Sequence, residues 1–187
     1  IAPNHLDSKF ALVDENNNYL EILWKGSIGH DSTTNGVTNS FEFKLKDKDI
    51  KSLRLIPIKY IGEENRILDI YDIDKLPITF EMNEYGKVII EDIQINDSKI
   101  IYTYYTEGFV PYESGLVFFD ENEKEIGFSC SSSENKNKKT GRITTTINLE
   151  GYGNDLNLIS KIKKVSAYNN TKMRLLYDEA IEINLSN

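Results

Sequence analysis

The stretch FALVDENNNYLEI at residues 10–22 is answered by GLVFFDENEKEIGF at residues 115–128. Asp14, Glu15 and Asn16 return as Asp120, Glu121 and Asn122, each 106 places on. Ser40-Phe41-Glu42-Phe43 aligns with Thr146-Ile147-Asn148-Leu149 at the same spacing, and Asn35-Gly36 with Thr140-Gly141 after a one-residue slip. Residues 50–56 align with 159–165 at a spacing of 109, and Tyr71-Asp72 with Tyr177-Asp178 at 106 again. A shared register over about 65 residues is the mark of a duplicated domain. Two copies are therefore expected, residues 1–76 and 77–187, with Pro77 opening the first strand of the second. Copy two holds a hairpin, residues 78–106, ahead of its DEN turn, whereas only nine residues precede Phe10. The expectation is that the first copy lacks its N-terminal hairpin, and that a chain starting at Ile1 is a processed product or a fragment. A sandwich short of two strands would offer a bare sheet edge to a second chain.

The copies read as all-β. Alanine occurs only four times while isoleucine occurs 24 times and tyrosine 11, and β-branched and aromatic residues suit a half-buried pleated surface better than a helix. Residues 89–95 and 100–105 are apolar runs joined by Asn96-Asp97-Ser98-Lys99, which predicts a hairpin. Ile143, Thr145, Ile147 and Leu149 alternate, as do Ile181, Ile183 and Leu185. Short strands between turn clusters point to sandwiches.

Charge and composition narrow the function. With 22 Lys plus Arg against 30 Asp plus Glu, the net charge is −8, the wrong sign for displacing counterions from nucleic acid. The run Asn135-Lys136-Asn137-Lys138-Lys139 reads as a solvated loop. No segment approaches the ~20 apolar residues of a membrane helix, so these residues do not insert in a bilayer. Cys130 is the one cysteine, which rules out a disulfide within the chain. Lying in the strand-like run Gly127-Phe128-Ser129-Cys130, it is expected to be a buried structural thiol.

The chemistry motifs fail on spacing. Asp14, Asn16 and Asn18 alternate like calcium ligands, but Tyr19 and Lys25 stand where that loop needs Gly and Glu, and Lys124 replaces a ligand in the second copy. An Asx-type turn explains both copies, so the repeat is architectural. Gly26-Ser27-Ile28-Gly29-His30 lacks the G-x-S-x-G elbow. His5 lies in the leading segment and His30 in a Gly/Ser/Thr/Asn-rich loop, without zinc spacing. Gly151-Tyr152-Gly153 has Leu156 where a dinucleotide fingerprint needs its third glycine. Gly86-Lys87 is followed by Val88 rather than the Ser or Thr of a phosphate loop. A carboxylate pair of glycosidase type is not singled out by any motif. The expectation is no enzyme, no catalytic or metal residues, no cofactor, and an unidentified ligand.

Aromatics are the remaining candidates. Tyr102, Tyr104, Tyr105, Phe109 and Tyr112 crowd together, and Trp24 follows the first DEN turn. Exposed, they would form a sugar-binding platform. The favoured reading packs Tyr102 and Tyr104 in the core, with Tyr105 on the opposite side.

An I-Y-x-Y strand, the segment FFDENEKEI, a Gly-centred loop, SKIKKVSAY and a closing alternating strand together resemble the extracellular part of membrane-anchored anti-sigma-factor-like proteins of low-GC Gram-positive bacteria. The likeness covers copy two and copy one from Phe10 onward. Asn17 and Glu123 stand where that family's turn usually carries Gly. The resemblance implies tandem immunoglobulin-like sandwiches outside the membrane, in a non-enzymatic sensory or scaffolding role. The partner there would be an unknown protein or cell-wall ligand. A sigma factor would be reached only through a cytoplasmic part upstream of Ile1, beyond a single-pass anchor. The alternative from another class is a secreted or surface carbohydrate-binding or adhesive module using Trp24 or the tyrosines.

Overall fold

The computed structural model describes residues 10–20, 22–31, 36–43, 45, 49–96, 98–110, 115–137, 139–149 and 156–185. They form thirteen strands and two short 3-10 turns, Leu156–Lys161 and Tyr177–Glu179, so the chain is all-β. The strand pairings described below are antiparallel. No helix among the described residues is long and apolar enough to cross a membrane.

Two compact units emerge, residues 1–59 with 174–187 and residues 60–173. We call them units 1 and 2. In unit 2 a five-stranded sheet runs β10-β11-β8-β7-β6. Its strands are β6 (Ile78–Asn83), β7 (Gly86–Asn96), β8 (Lys99–Gly108), β10 (Ser131–Lys136) and β11 (Ile143–Asn148). β7 and β8 are the expected hairpin. Its turn is held by the Asn96 side chain, whose Oδ1 accepts from the backbone N–H of Lys99 at 2.9 Å, the local bonding that makes Asn a turn former. Pro77 does stand immediately before a strand, β6. Gly108 is required where it is: its φ is +75°, and a Cβ there would meet the Tyr85 carbonyl oxygen at 2.1 Å.

The facing layer of unit 2 is built on β12 (Lys164–Leu175), flanked by β9 (Leu116–Phe119) and β5 (Tyr71–Asp72). Between the layers lie Ile78, Phe80, Ile90, Ile100, Phe118, Leu149 and Val165, all buried, with Tyr102 and Tyr104 among them. Period-two patterning explains the selection. Ile143, Thr145 and Ile147 are buried while their neighbours on β11 are half-buried, because successive side chains of a strand point to opposite faces. Ser166, also fully buried, donates its hydroxyl to the Leu68 carbonyl at 2.8 Å, which removes the cost of an unmet polar group.

Unit 1 contains β1 (Phe10–Asp14), β2 (Ile22–Asp31), β3 (Gly36–Phe43), the first part of β4 (Ser52–Ile67) and β13 (Ile181–Asn184). β4 is flanked by β1 and β13, and β2 pairs β3. Its buried residues include Ala11, Val13, Ile56 and Leu175 as well as a cluster of Leu12, Leu20, Ile50 and Leu53, with Phe43, Leu55 and Leu185 against it.

The repeat reappears in the ladders. β1 lies on β4 as β9 lies on β12, and β2 pairs β3 as β10 pairs β11. The closing strands do not stay with their own copies. β5, which ends the first copy, pairs β12 through Val165↔Tyr71. β13, which ends the second, pairs β4 through Leu55↔Ile181. The last strand of each expected copy thus pairs with a strand of the other copy, β5 with β12 and β13 with β4. The compact units consequently divide the chain differently from the repeat. Leu76 and Pro77 lie inside unit 2, and β13 belongs to unit 1. Pairing also relates Tyr71 to Ile181 rather than to Tyr177, which sits in a 3-10 turn.

Candidate functional site

The twin DEN turns can be compared atom by atom. In the first, the Asp14 carboxylate accepts the backbone N–H groups of Asn16 (2.9 Å) and Asn18 (2.8 Å) and the Asn18 side-chain amide (2.9 Å). In the second, Asp120 accepts the N–H groups of Asn122 (2.8 Å) and Lys124 (3.0 Å). The chain then returns along the preceding strand, Leu20 N–H to Leu12 and Ile126 N–H to Phe118. Both Asp14 oxygens and Asp120 Oδ1 are engaged by the turn itself. Among the described residues no group of three or more His, Cys, Asp or Glu is placed to hold a metal ion.

The left-handed positions of the turns are Asn17 (φ 64°) and Glu123 (φ 62°), the two places at which the family resemblance leads one to expect Gly. Asn tolerates that conformation and Glu does not. Glu123→Gly is therefore expected to stabilise unit 2 by about 0.5 kcal/mol, the strain relieved exceeding the extra entropy of glycine. The lost contact to Lys164 Nζ (2.8 Å) is an exposed ion pair, screened by solvent, and adds little. A urea midpoint that falls would contradict this.

Asp14 is buried, 2% exposed, whereas Asp120 is half-buried. Asp14→Ala removes a buried acceptor from three part-buried hydrogen bonds and is expected to cost about 3 kcal/mol, against about 1.5 for Asp120→Ala. Equal losses in urea melts would show that burial is not what separates the turns.

A concavity lies in unit 2. It is a cleft of about 510 Å³ that opens between β9 with the segment after it and β10. Phe118, Phe128, Tyr102 and Ile147 give it an apolar wall, and the Phe118 and Phe128 rings lie 6.0 Å apart. The charged residues among its described lining are Glu125 and Glu134, with no described Lys or Arg. Glu134 stands opposite Thr145 in the β10–β11 ladder, and the buried Thr145 hydroxyl donates to its Oε1 at 3.3 Å. Glu134 also borders a second void of about 30 Å³ beside Met82, Ile90 and Tyr104.

On the other face of the five-stranded sheet, Arg142 pairs with Glu91 through its Nε and, at 2.6 Å, through Nη2, and its guanidinium lies 5.4 Å from the Tyr105 ring centre. That hydrogen bond and charge hold the Glu91 carboxyl below the usual carboxylate range.

The sequence-based candidates fall as follows. Tyr102 and Tyr104 are core residues, their rings 5.8 Å apart, and Phe109 is buried too. Tyr105 lies outside that core, under Arg142, so no tyrosine platform is assembled. Tyr112, His5 and Gly151-Tyr152-Gly153 lie outside the described residues. Trp24 is in β2, where its backbone pairs with Glu42; its side chain lies outside the description. Two expectations are corrected. His30 lies in strand β2, opposite Val37, rather than in a loop, because a bulge between Ser27 and Gly29 absorbs the glycine-rich stretch. Cys130 is exposed, not buried: residues 127–130 are not strand but the crossing to β10, at the cleft rim. Asn135 and the half-buried Lys136 end strand β10 rather than lying in a loop; Asn137, whose Oδ1 accepts the Lys139 N–H, and Lys139 form the exposed turn, and Lys138 is outside the description. The cleft was missed because its lining comes from five strands and a connecting segment, with no local signature. Comparison with protein-family models, with curated proteins and with solved structures gives no match.

Proposed function

We propose that this chain is a non-enzymatic sensory or scaffolding module, two immunoglobulin-like sandwiches held outside the membrane by a regulator of the anti-sigma-factor type. The observation that carries the reading is the exchange of closing strands. With β13 completing the sheet of unit 1 and β5 that of unit 2, a perturbation that loosens one repeat removes a strand from the other. Such a built-in coupling suits a part that relays a state rather than one that turns over a substrate. The cleft of unit 2 gives a signal a place to act. Fold likeness does not by itself assign function, so the reading rests on the resemblance for its cellular setting. An unknown protein or cell-wall ligand would act on the outside, and a sigma factor only through a cytoplasmic part.

The carbohydrate-binding alternative loses its tyrosine platform and retains Trp24, for which a glycan screen with Trp24→Ala is the control. The gene upstream of the Ile1 codon tests the main reading. A segment of about 20 apolar residues preceded by a short cytoplasmic stretch supports it. A cleavable signal peptide with no anchor sinks it.

A further inference from the structure

We infer that the cleft of unit 2 binds a small organic cation, an ammonium or guanidinium head on an apolar or aromatic body. The inference rests on the sensory reading in one respect, since it supplies that reading with a ligand class. The cleft's volume, about 510 Å³, falls in the range of roughly 300–1,000 Å³ typical of small-molecule sites. Its wall is apolar and aromatic, and the charged residues among its described lining are two carboxylates, Glu125 and Glu134. An anion would be repelled by both.

Glu134 directs the specificity. On β10 it shares the inward side with Ser132 and Lys136, opposite Thr145, Ile147 and Ile143. It therefore lies over the sandwich interior, and the Thr145 hydroxyl holds one of its oxygens. Glu134 is itself exposed, so a cation would pair with it at the mouth of the cleft and gain by covering the apolar wall behind it. Aromatic side chains such as Phe118, Phe128 and Tyr102 suit the apolar skirt of such a cation, as in the aromatic cages that take quaternary ammonium groups. The competing role for Glu134 is that of an inward-pointing charge guarding an edge strand against pairing, which needs no ligand.

Cys130 makes the two separable, because this sole thiol is exposed at the rim of the cleft. The experiment follows alkylation of Cys130 by iodoacetamide in the full chain, with benzyltrimethylammonium, benzyl alcohol or benzoate added at matched concentration. Benzyltrimethylammonium is expected to slow alkylation at least fivefold at saturation, with benzyl alcohol and benzoate giving less than twofold. Glu134→Gln is expected to weaken the cation's effect tenfold or more, while Glu107→Gln, on β8 and outside the cleft lining, leaves it unchanged. Matching urea midpoints for the variants establish that they are folded. No protection, equal protection by the three probes, or full protection in Glu134→Gln overturns the proposal and leaves Glu134 as an edge guard. An unanchored gene product would retire the sensory reading and leave a positive cleft result standing.

Discussion

A chain ended at Leu176 is expected to lose most of the stability of unit 1 and little of that of unit 2. The deletion removes β13, whose four residues pair with Ser52 to Leu55 of β4, and the bond from Leu185 N–H to the Lys51 carbonyl at 2.8 Å. It also removes the Tyr177 hydroxyl that lies 2.7 Å from that of Tyr19. Backbone bonds of this kind contribute about 1 kcal/mol each net of water. The side chains add less, because Ile181 is 59% and Ile183 40% exposed. A loss of about 3 kcal/mol follows, a large share of the stability of a unit of this size. Trp24, the only tryptophan, reports on unit 1, while tyrosine near-ultraviolet dichroism weights unit 2. The fluorescence midpoint in urea should fall and the tyrosine transition persist. An unmoved fluorescence midpoint would show that the exchanged strand does not support unit 1.

The second large effect is Phe80→Ala, expected to cost unit 2 about 4 kcal/mol. Phe80 is 1% exposed and packs edge-on against Tyr71 of β5, ring centres 5.6 Å apart at 73°. Its loss opens a cavity and frees the exchanged strand together. The pairings relate Tyr71 to Ile181, so Ile181→Ala is the natural comparison. It is expected to change stability by less than about 0.5 kcal/mol, as exposed substitutions do. The asymmetry arises because β6 covers β5 in unit 2, and no described strand of unit 1 covers β13. A loss above about 1.5 kcal/mol for Ile181→Ala would contradict that account, being the size of a buried side chain.

The all-β class was legible because it rests on local rules. Alternation placed Ile143, Thr145 and Ile147 inward, and the Asn96 turn located the β7–β8 hairpin. The DEN repeat was legible down to its Asx bonding, since Asp14 and Asp120 act within four residues of themselves. Partner choice was not legible. Whether Tyr71 joins β4 or β12 depends on strands far away in sequence, and period-two patterning is the same for both. Alternation also says nothing about cover: Ile181 and Ile183 read as core and are exposed. The same blindness to long-range placement put Cys130 in the interior and hid the cleft.

The exchange of closing strands carries a consequence for how the protein is made. Synthesis delivers β1 to β4 first, yet β4 receives β13 only after every strand of unit 2 has been translated. The unit nearer the N-terminus is thus the later one to finish, the reverse of the order in which domains usually fold as they leave the ribosome. Unit 2 has β5 in hand before β12 exists and can close without delay. During that interval the β4 edge stands open, and nascent chains on one message would meet while sharing the same unfilled position. A slow stretch of codons placed after β12 would lengthen the exposure; rapid translation to the end would shorten it.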